Sequence, residues 1–310
     1  MTFSLDDIPD QTGKVGVVSG GNAGIGYETV KALASKGMKV YMASRNQSKA
    51  EAAIKKLVDE VPAAKGRVEF LQLDLTSLKG SHASAEALAA KTDKLSLIVN
   101  NAGVMANPYS LTTDGLEIQT ATNHFGPFVF TQTLLPLLEK TAQSTNEPVR
   151  IVNLSSVAHT MTAFGKPDFR SVKSANATFG PSILGAWRRY GQSKACQILY
   201  SIEFNKRYAE KKIYMLSAHP GLIDSGLWVN SPIMSAFLKR TVFLSPAEGA
   251  LDSLYAATSP EVISKDLRGA YITPIAKVST PSRNARDPEL AKQLWSLSSQ
   301  LLQEKSGHTS

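Results

Sequence analysis

Short apolar runs that read as strands alternate with helix-patterned stretches along nearly the whole chain, and this order constrains the fold more than any other property of the sequence. Val15-Gly16-Val17-Val18 is a buried-strand run, and Ile25 to Lys36 carries a helical pattern closed by Gly37. Lys39 to Ala43 reads as the next strand, Ser48 to Val61 as an Ala/Lys/Glu-rich helix stopped by Pro62, and Val68 to Leu73 as a third strand. The rhythm continues through helix Ser81 to Lys91, strand Leu95 to Val99, a long helical region from Asp114 to Gln143 and strand Arg150 to Leu154. Beyond these come helix Trp187 to Glu210, strand Ile213 to Ala218, helix Pro246 to Ala257, strand Ala270 to Thr273 and a terminal helix from Pro288 to Gln303. Ser245-Pro246-Ala247-Glu248 starts its helix with a capping serine, a proline at the first position and a glutamate at the third. Strands separated by helices pair in parallel, so an α/β fold is expected, with about seven parallel strands and helices on both faces.

Composition fits a packed core and excludes a disordered or fibrous chain: 43% of the 310 residues are hydrophobic and 19% are charged. The formal net charge is +8, but Lys and Arg are scattered, and short clusters such as Arg188-Arg189 and Lys211-Lys212 read as solvated surface. No nucleic-acid partner is expected. The single cysteine, Cys196, rules out an internal disulfide and a cysteine-built zinc cluster, and fits a reducing compartment. Met1 to Lys14 carries Asp6, Asp7 and Asp10 without an apolar run, and no later stretch is long enough to span a bilayer. The final His-Thr-Ser matches no address signal, so a cytoplasmic protein without membrane attachment is expected. With no repeat or linker, residues 1–310 read as one domain. Two segments, Thr160 to Gly185 and Gly221 to Leu244, are too long for simple connections and are read as functional loops.

Residues 19–26, Ser-Gly-Gly-Asn-Ala-Gly-Ile-Gly, fall between the first strand and the first helix. Glycines there permit a tight turn and close backbone approach, and a helix N-terminus offers unpaired N–H groups to a pyrophosphate. A purely structural loop is the alternative, but the strand before and helix after favour a dinucleotide site. The expected fold is therefore a single-domain, Rossmann-like, doubly wound parallel sheet. Ser19, Gly20, Asn22, Gly24, Ile25 and Gly26 are its candidate cofactor contacts. Ser44-Arg45 follows the second strand, where a carboxylate would select NADH; its absence and the Arg45 guanidinium point to NADP(H).

Tyr190-Gly191-Gln192-Ser193-Lys194 places a tyrosine and a lysine on one helix face. Tyr208 and Lys212 have the same spacing but fall in a charged stretch read as a solvated helix end. Ser156 separates the two cases, because it ends the preceding strand, where open α/β sheets bind ligands, and Tyr190 lies one crossover later. A phenol with a pKa near ~10 needs a nearby positive charge to work at neutral pH, and Lys194 supplies it.

The glycine spacing, Asn100-Asn101-Ala102-Gly103, Asn123-His124-Phe125-Gly126, Ser156 and the Tyr190/Lys194 pair, in this order, resemble the short-chain dehydrogenase/reductase family. The likeness spans roughly residues 11–275, and the phrases at 123–126 and 149–159 look most like its retinol dehydrogenase branch. Ser19 stands where the family usually has threonine. The resemblance implies a catalytic tetrad of Asn123, Ser156, Tyr190 and Lys194, with Ser155 as the alternative serine. In it Tyr190 exchanges a proton with a carbonyl or alcohol oxygen, Ser156 aligns that oxygen, Lys194 holds the nicotinamide ribose and Asn123 anchors a water-linked proton path. It further implies cofactor contacts from Asn101, Ala102 and Gly103, and from Asp74 with Leu75, although Asp74 suits a turn nearly as well. Pro220, Gly221, Ile223 and Ser225 resemble the segment at the nicotinamide amide. His159 and His219 lack metal-ligand spacing and read as loop residues, and no metal site is expected.

The implied function is NADP(H)-dependent interconversion of a small-molecule carbonyl and alcohol. A non-catalytic NADP(H)-binding redox sensor or scaffold is the alternative, and epimerase or dehydratase chemistry shares the fold. Leu222, Leu227, Trp228, Val229, Ile233, Met234 and Phe237 make the segment 221–244 a candidate cover for an apolar substrate. Ser156 and Tyr190 are 34 positions apart, further than in compact family members; some relatives with insertions here are monomers, the extra segment covering a helix face otherwise used for dimerisation, so a monomer is expected.

Overall fold

A computed structural model of the chain describes residues 3–223 and 243–306. Eight strands form one sheet in the order β3-β2-β1-β4-β5-β6-β7-β8. They are β1 (Val15–Ser19), β2 (Lys39–Ser44), β3 (Val68–Gln72), β4 (Leu97–Asn100), β5 (Val149–Leu154), β6 (Ile213–Ala218), β7 (Tyr271–Thr273) and β8 (Lys277–Ser279). The first seven run parallel, and β8 folds back antiparallel on β7. The seven parallel strands match the expected count, and β8 adds one antiparallel strand at the edge. It is three residues long and largely exposed, so it carries no hydrophobic alternation from which to read it.

The principal helices are α1 (Gly24–Ser35), α2 (Gln47–Glu60), α3 (Leu78–Lys91), α4 (Gly126–Thr145), α5 (Ile183–Arg207), α6 (Pro246–Thr258) and α7 (Pro288–Ser306). Alternate strand residues feed two cores. Val18, Met42, Val99 and Leu216 pack against α1, α2 and α6 through Val30, Leu33, Leu57 and Leu254. Val17, Tyr41, Ile98 and Ile151 pack on the other face against α3, α4 and α5 through Leu88, Leu134, Tyr200 and Phe204. Both faces are thus covered, as a parallel sheet requires.

The region expected as one helix from Asp114 to Gln143 is divided. A short α turn, Ile118–Thr120, runs into a π-helical turn, Ala121–Phe125, and only then into α4. Segment 160–185 also has structure of its own: the 3-10 helix Val157–Phe164, the short helix Val172–Ala175 and the first residues of α5. Asp224, Ser225 and the apolar residues Leu227, Trp228, Val229, Ile233, Met234 and Phe237 lie outside the described residues.

Candidate active site

A cleft of about 410 Å³ opens where β1 and β4 end, the point at which strand order reverses. One wall is the turn from β1 into α1. Gly20 and Gly24 adopt positive φ, 66° and 55°, and a Cβ on Gly26 would collide with the Gly20 carbonyl. Ala23 gives α1 no side-chain cap, so the first N–H groups of the helix remain available beside the cleft that Asn22, Ala23, Gly24 and Ile25 line.

Ser19 joins this turn to β4. Its Oγ accepts the N–H groups of Asn101 and Ala102 at 3.1 and 3.0 Å, while Asn101 Nδ2 donates to the Ser19 carbonyl at 2.8 Å. A serine in place of threonine retains this acceptor. Asn101, Ala102 and Gly103 all line the cleft, as do Leu75 and Arg45. Arg45 is exposed and forms no ion pair with another described residue.

Asp74 stands apart from the lining. Its Oδ1 accepts from the N–H and hydroxyl of Thr76 at 3.0 and 2.7 Å, the turn role weighed in the sequence, while Leu73, Leu75 and Thr76 face the cleft. Pro220 lines it too, whereas Gly221 lies against Leu244 and Ile223 against Gly249.

Tyr190 and Lys194 occupy successive turns of α5, with the Lys194 ammonium 5.6 Å from the centre of the Tyr190 ring. Ser156 follows β5 and caps the 3-10 helix through Ala158 N–H, at 3.2 Å, and its side chain lies near enough to the Tyr190 phenol to favour the ionised form. Gly191 lets these elements approach: a Cβ there would lie 2.5 Å from the Ala158 carbonyl and 2.8 Å from Met161 Cβ. Ser155 instead donates to the Lys194 carbonyl at 2.8 Å, fastening strand to helix. Asn123 lies inside the π turn, its Oδ1 accepting Val104 N–H at 2.8 Å and its Nδ2 donating to Val104 O at 3.0 Å and Ser193 Oγ at 2.8 Å.

Lys194 Nζ donates to Leu154 O at 2.6 Å and to Gln197 Oε1 at 3.2 Å. Burial lowers its pKa to about 7. Burial also raises the Tyr190 phenol to about 12, against the opposing influence of Ser156. The net shift of the phenol is therefore upward, although the sequence suggests that Lys194 should favour phenolate. Desolvation of the buried phenol is the larger effect here, and Ser156 opposes it.

Two further groups complete the surroundings. His159 Nδ1 pairs with the Ser156 carbonyl at 2.7 Å and Nε2 accepts the Ser282 N–H at 3.0 Å, which fixes a neutral ring with its proton on Nδ1. His159 thus clamps the backbone of the candidate catalytic serine. Met105, Ala106, Ala158, Ala186 and Trp187 form an apolar cluster around Tyr190.

Two surface assignments are corrected. Arg189 is 2% exposed, lies 3.4 Å from Glu117 and donates to Thr178 O and Asn107 O at 2.6 and 3.0 Å, so it is no solvated charge. Tyr208 stacks on Phe204 with ring centroids 4.5 Å apart and is half-buried, while Lys212 reaches Asn146. Among the described residues there is no group of three or more His, Cys, Asp or Glu that could hold a metal, and no helix long and apolar enough to cross a membrane.

A parallel sheet with a glycine turn at its reversal point, and a Ser-Tyr-Lys constellation beside that turn, define a nicotinamide-dependent oxidoreductase. The chain belongs to the short-chain dehydrogenase/reductase family: the profile for short chain dehydrogenase matches residues 14–184. It is 42% identical to an uncharacterized oxidoreductase of Schizosaccharomyces pombe, over 94% of this chain and 86% of that one. It is 39% identical to a short-chain dehydrogenase/reductase of Aspergillus calidoustus, over 93% of each. Among solved structures, a putative uncharacterized protein from Mycobacterium paratuberculosis superposes with a TM-score of 0.75 at 29% identity, covering 98% of both chains.

Proposed function

We propose that this oxidoreductase uses NADPH to interconvert a carbonyl and an alcohol on an apolar small molecule, in a single dinucleotide-binding and catalytic unit. The observation that carries the reading is that Tyr190 and Lys194 line one cleft with the uncapped start of α1, with Ser156 beside the phenol. The residues fit the cofactor: α1 offers N–H groups for a pyrophosphate, and Lys194 has an N–H left beyond the two that Leu154 and Gln197 accept. A bound nicotinamide dinucleotide supplies or accepts the hydride.

Ser156 and Tyr190 together hold the substrate oxygen, and Tyr190 gives it a proton during reduction or takes one during oxidation. Desolvation keeps the phenol protonated at neutral pH, the form that reduction requires. Cofactor choice rests on Arg45, exposed at the cleft beside Ser44 with no carboxylate in that position. Apolar substrate character rests on the cluster of Met105, Ala106, Ala158, Ala186 and Trp187 around the phenol. It is tested by comparing kcat/KM for bulky apolar and small polar carbonyls. A preference for sugars or short hydroxy acids overturns it.

The decisive variant is Tyr190→Phe, which removes only a hydroxyl. Turnover should fall about 10²–10⁴-fold while NADPH binding, followed by its fluorescence, stays near wild type. Undiminished turnover would remove Tyr190 from this role. Wild-type protein that binds NADPH but turns over no member of a broad carbonyl panel would instead support the sensor or scaffold reading.

A further inference from the structure

Gln197 lies one turn beyond Lys194 on α5 and is 2% exposed. The orientation of its amide follows from the chemistry of its neighbours. Lys194 Nζ can only donate and the Asn123 carbonyl can only accept, so Oε1 faces the ammonium at 3.2 Å and Nε2 faces the carbonyl at 2.8 Å. The reverse orientation would oppose donor to donor and acceptor to acceptor inside the protein.

We infer that Gln197 is a positioning residue for the acid–base pair: its amide sustains the charged form of Lys194, directs the remaining N–H toward the cleft and couples that charge to the π turn carrying Asn123. The inference rests on the assignment of Tyr190 and Lys194 proposed above. It adds a member that none of the family motifs in the sequence contains.

The surroundings of the ammonium explain why one amide matters. Leu154 O takes one of its three protons at 2.6 Å and Gln197 a second, while a Cβ on Gly103, which lines the cleft, would lie 3.6 Å from Nζ. The ionisable groups facing it are the Tyr190 phenol on the same helix, His219 at the end of β6 and, beyond His219, His159 on the 3-10 helix. Among the described residues no carboxylate pairs with it. Neutral dipoles alone therefore hold the charge, and burial already brings its pKa down to about 7, so losing one acceptor moves its titration below neutrality. The Gln197 backbone is fixed as well, its carbonyl accepting the hydroxyls of Ser201 and Ser217 at 2.9 and 3.3 Å.

The test follows the Lys194 titration in the cofactor-free protein by NMR of carbon-13-labelled lysine, with Lys194→Met for assignment. Gln197→Met removes the acceptor and should lower this titration by about one pH unit, the scale of one hydrogen bond to a charged group. The pH midpoint of alcohol oxidation should move upward by a similar amount, because a less charged lysine stabilises phenolate less. Gln197→Glu puts a carboxylate oxygen against the ammonium and should raise the titration instead. Opposite shifts in the two variants support the inference, and if the Met variant does not fold, the upward shift in the Glu variant alone decides. A Lys194 titration that stays at the wild-type value in either folded variant overturns it, whatever happens to kcat or melting temperature. The outcome is separable from that of Tyr190→Phe: retained turnover there removes the catalytic assignment of Tyr190 but leaves the Lys194 titration in the Gln197 variants unaffected.

Discussion

Ser44 stands where a carboxylate would bind a ribose 2′-hydroxyl, and Arg45 follows it, exposed at the cleft margin without an acidic partner among the described residues. Arg45→Ala is expected to lower kcat/KM for NADPH roughly tenfold, the worth of a charge-assisted contact, and to leave NADH unchanged. Equal loss with both cofactors would exclude Arg45 as the selector. Ala23 stands just before the middle glycine, where the family's second basic residue falls, so the proposed preference for NADPH is expected to be a moderate one. Asp252 offers a test of a different kind. Its Oδ1 accepts Ala276 N–H at 2.8 Å, its Oδ2 is buried without a partner, and burial raises its pKa to about 7. Because the folded-state value lies above the unfolded one, near ~3.9, the contribution to stability is full below that value and lost as pH rises through about 7. Asp252→Asn should therefore remove a decline on the order of 1 kcal/mol per pH unit between pH 4 and 7, measured by denaturant unfolding across that range. Parallel wild-type and variant curves would show that Asp252 does not titrate as assigned. At this scale the sequence was legible wherever a residue's chemistry is tied to a motif, as for Tyr190, Lys194, Ser156 and Asn123. Gln197, His159 and Arg189 each take one partner at least 70 positions away, respectively Asn123, Ser282 and Glu117, and no local pattern announces such pairings.

Two connections between elements build the cleft, and the first is tested by substitution. Ser19 Oγ is the acceptor that ties the end of β1 to the backbone after β4. Ser19→Ala leaves two N–H groups without that acceptor, and about 1–3 kcal/mol of stability should be lost together with cofactor affinity. Ser19→Thr should restore both, and an alanine variant as stable as wild type would show that the hydroxyl is not structural. The second connection is the π turn at Ala121–Phe125, which interrupts a stretch whose apolar pattern reads as one continuous helix. The widened turn presents the Asn123 carbonyl to Gln197 and its amide to Val104 and Ser193. Hydrophobic periodicity detects the helix but not the inserted residue, because all five residues of the π turn are buried and leave no apolar stripe whose shift could be read. The starts and ends of strands and helices were legible to within a few residues, whereas β8 was not: its Lys277 and Val278 are exposed, and pairing with β7 alone defines it.

On the scale of the whole molecule, the order of strands and helices alone was sufficient to read the doubly wound sheet, whereas what covers the catalytic helix was not contained in any motif. From Arg189 to Ser201 every residue of α5 is buried, although its hydrogen-bonding side chains and Cys196 do not all face the sheet. The covering comes from distant parts of the same chain. Phe169 and Ala175, from the segment between Ser156 and Tyr190, and Leu290, Leu294, Leu297 and Leu301 of α7 pack with Cys196 and Leu199 in one apolar cluster. Gln192 Nε2 donates to Ala175 O at 2.8 Å, and Arg189 donates to Thr178 O, fixing that segment against the helix. A second copy of the chain would have to displace these contacts to pack on α5, and a few buried leucines of α7 each contribute about 1.5–3 kcal/mol against that exchange. A monomer is the expected state. Sedimentation velocity at micromolar concentration should give a single species near 33.3 kDa, the mass of one chain. Leu294→Asp, which places a charge inside the covering cluster, should destabilise the protein by several kcal/mol without creating a dimer. A stable dimer of the wild-type chain whose interface, mapped by cross-linking or hydrogen exchange, contains α5 would show that the covering is displaced in solution and would overturn this assignment.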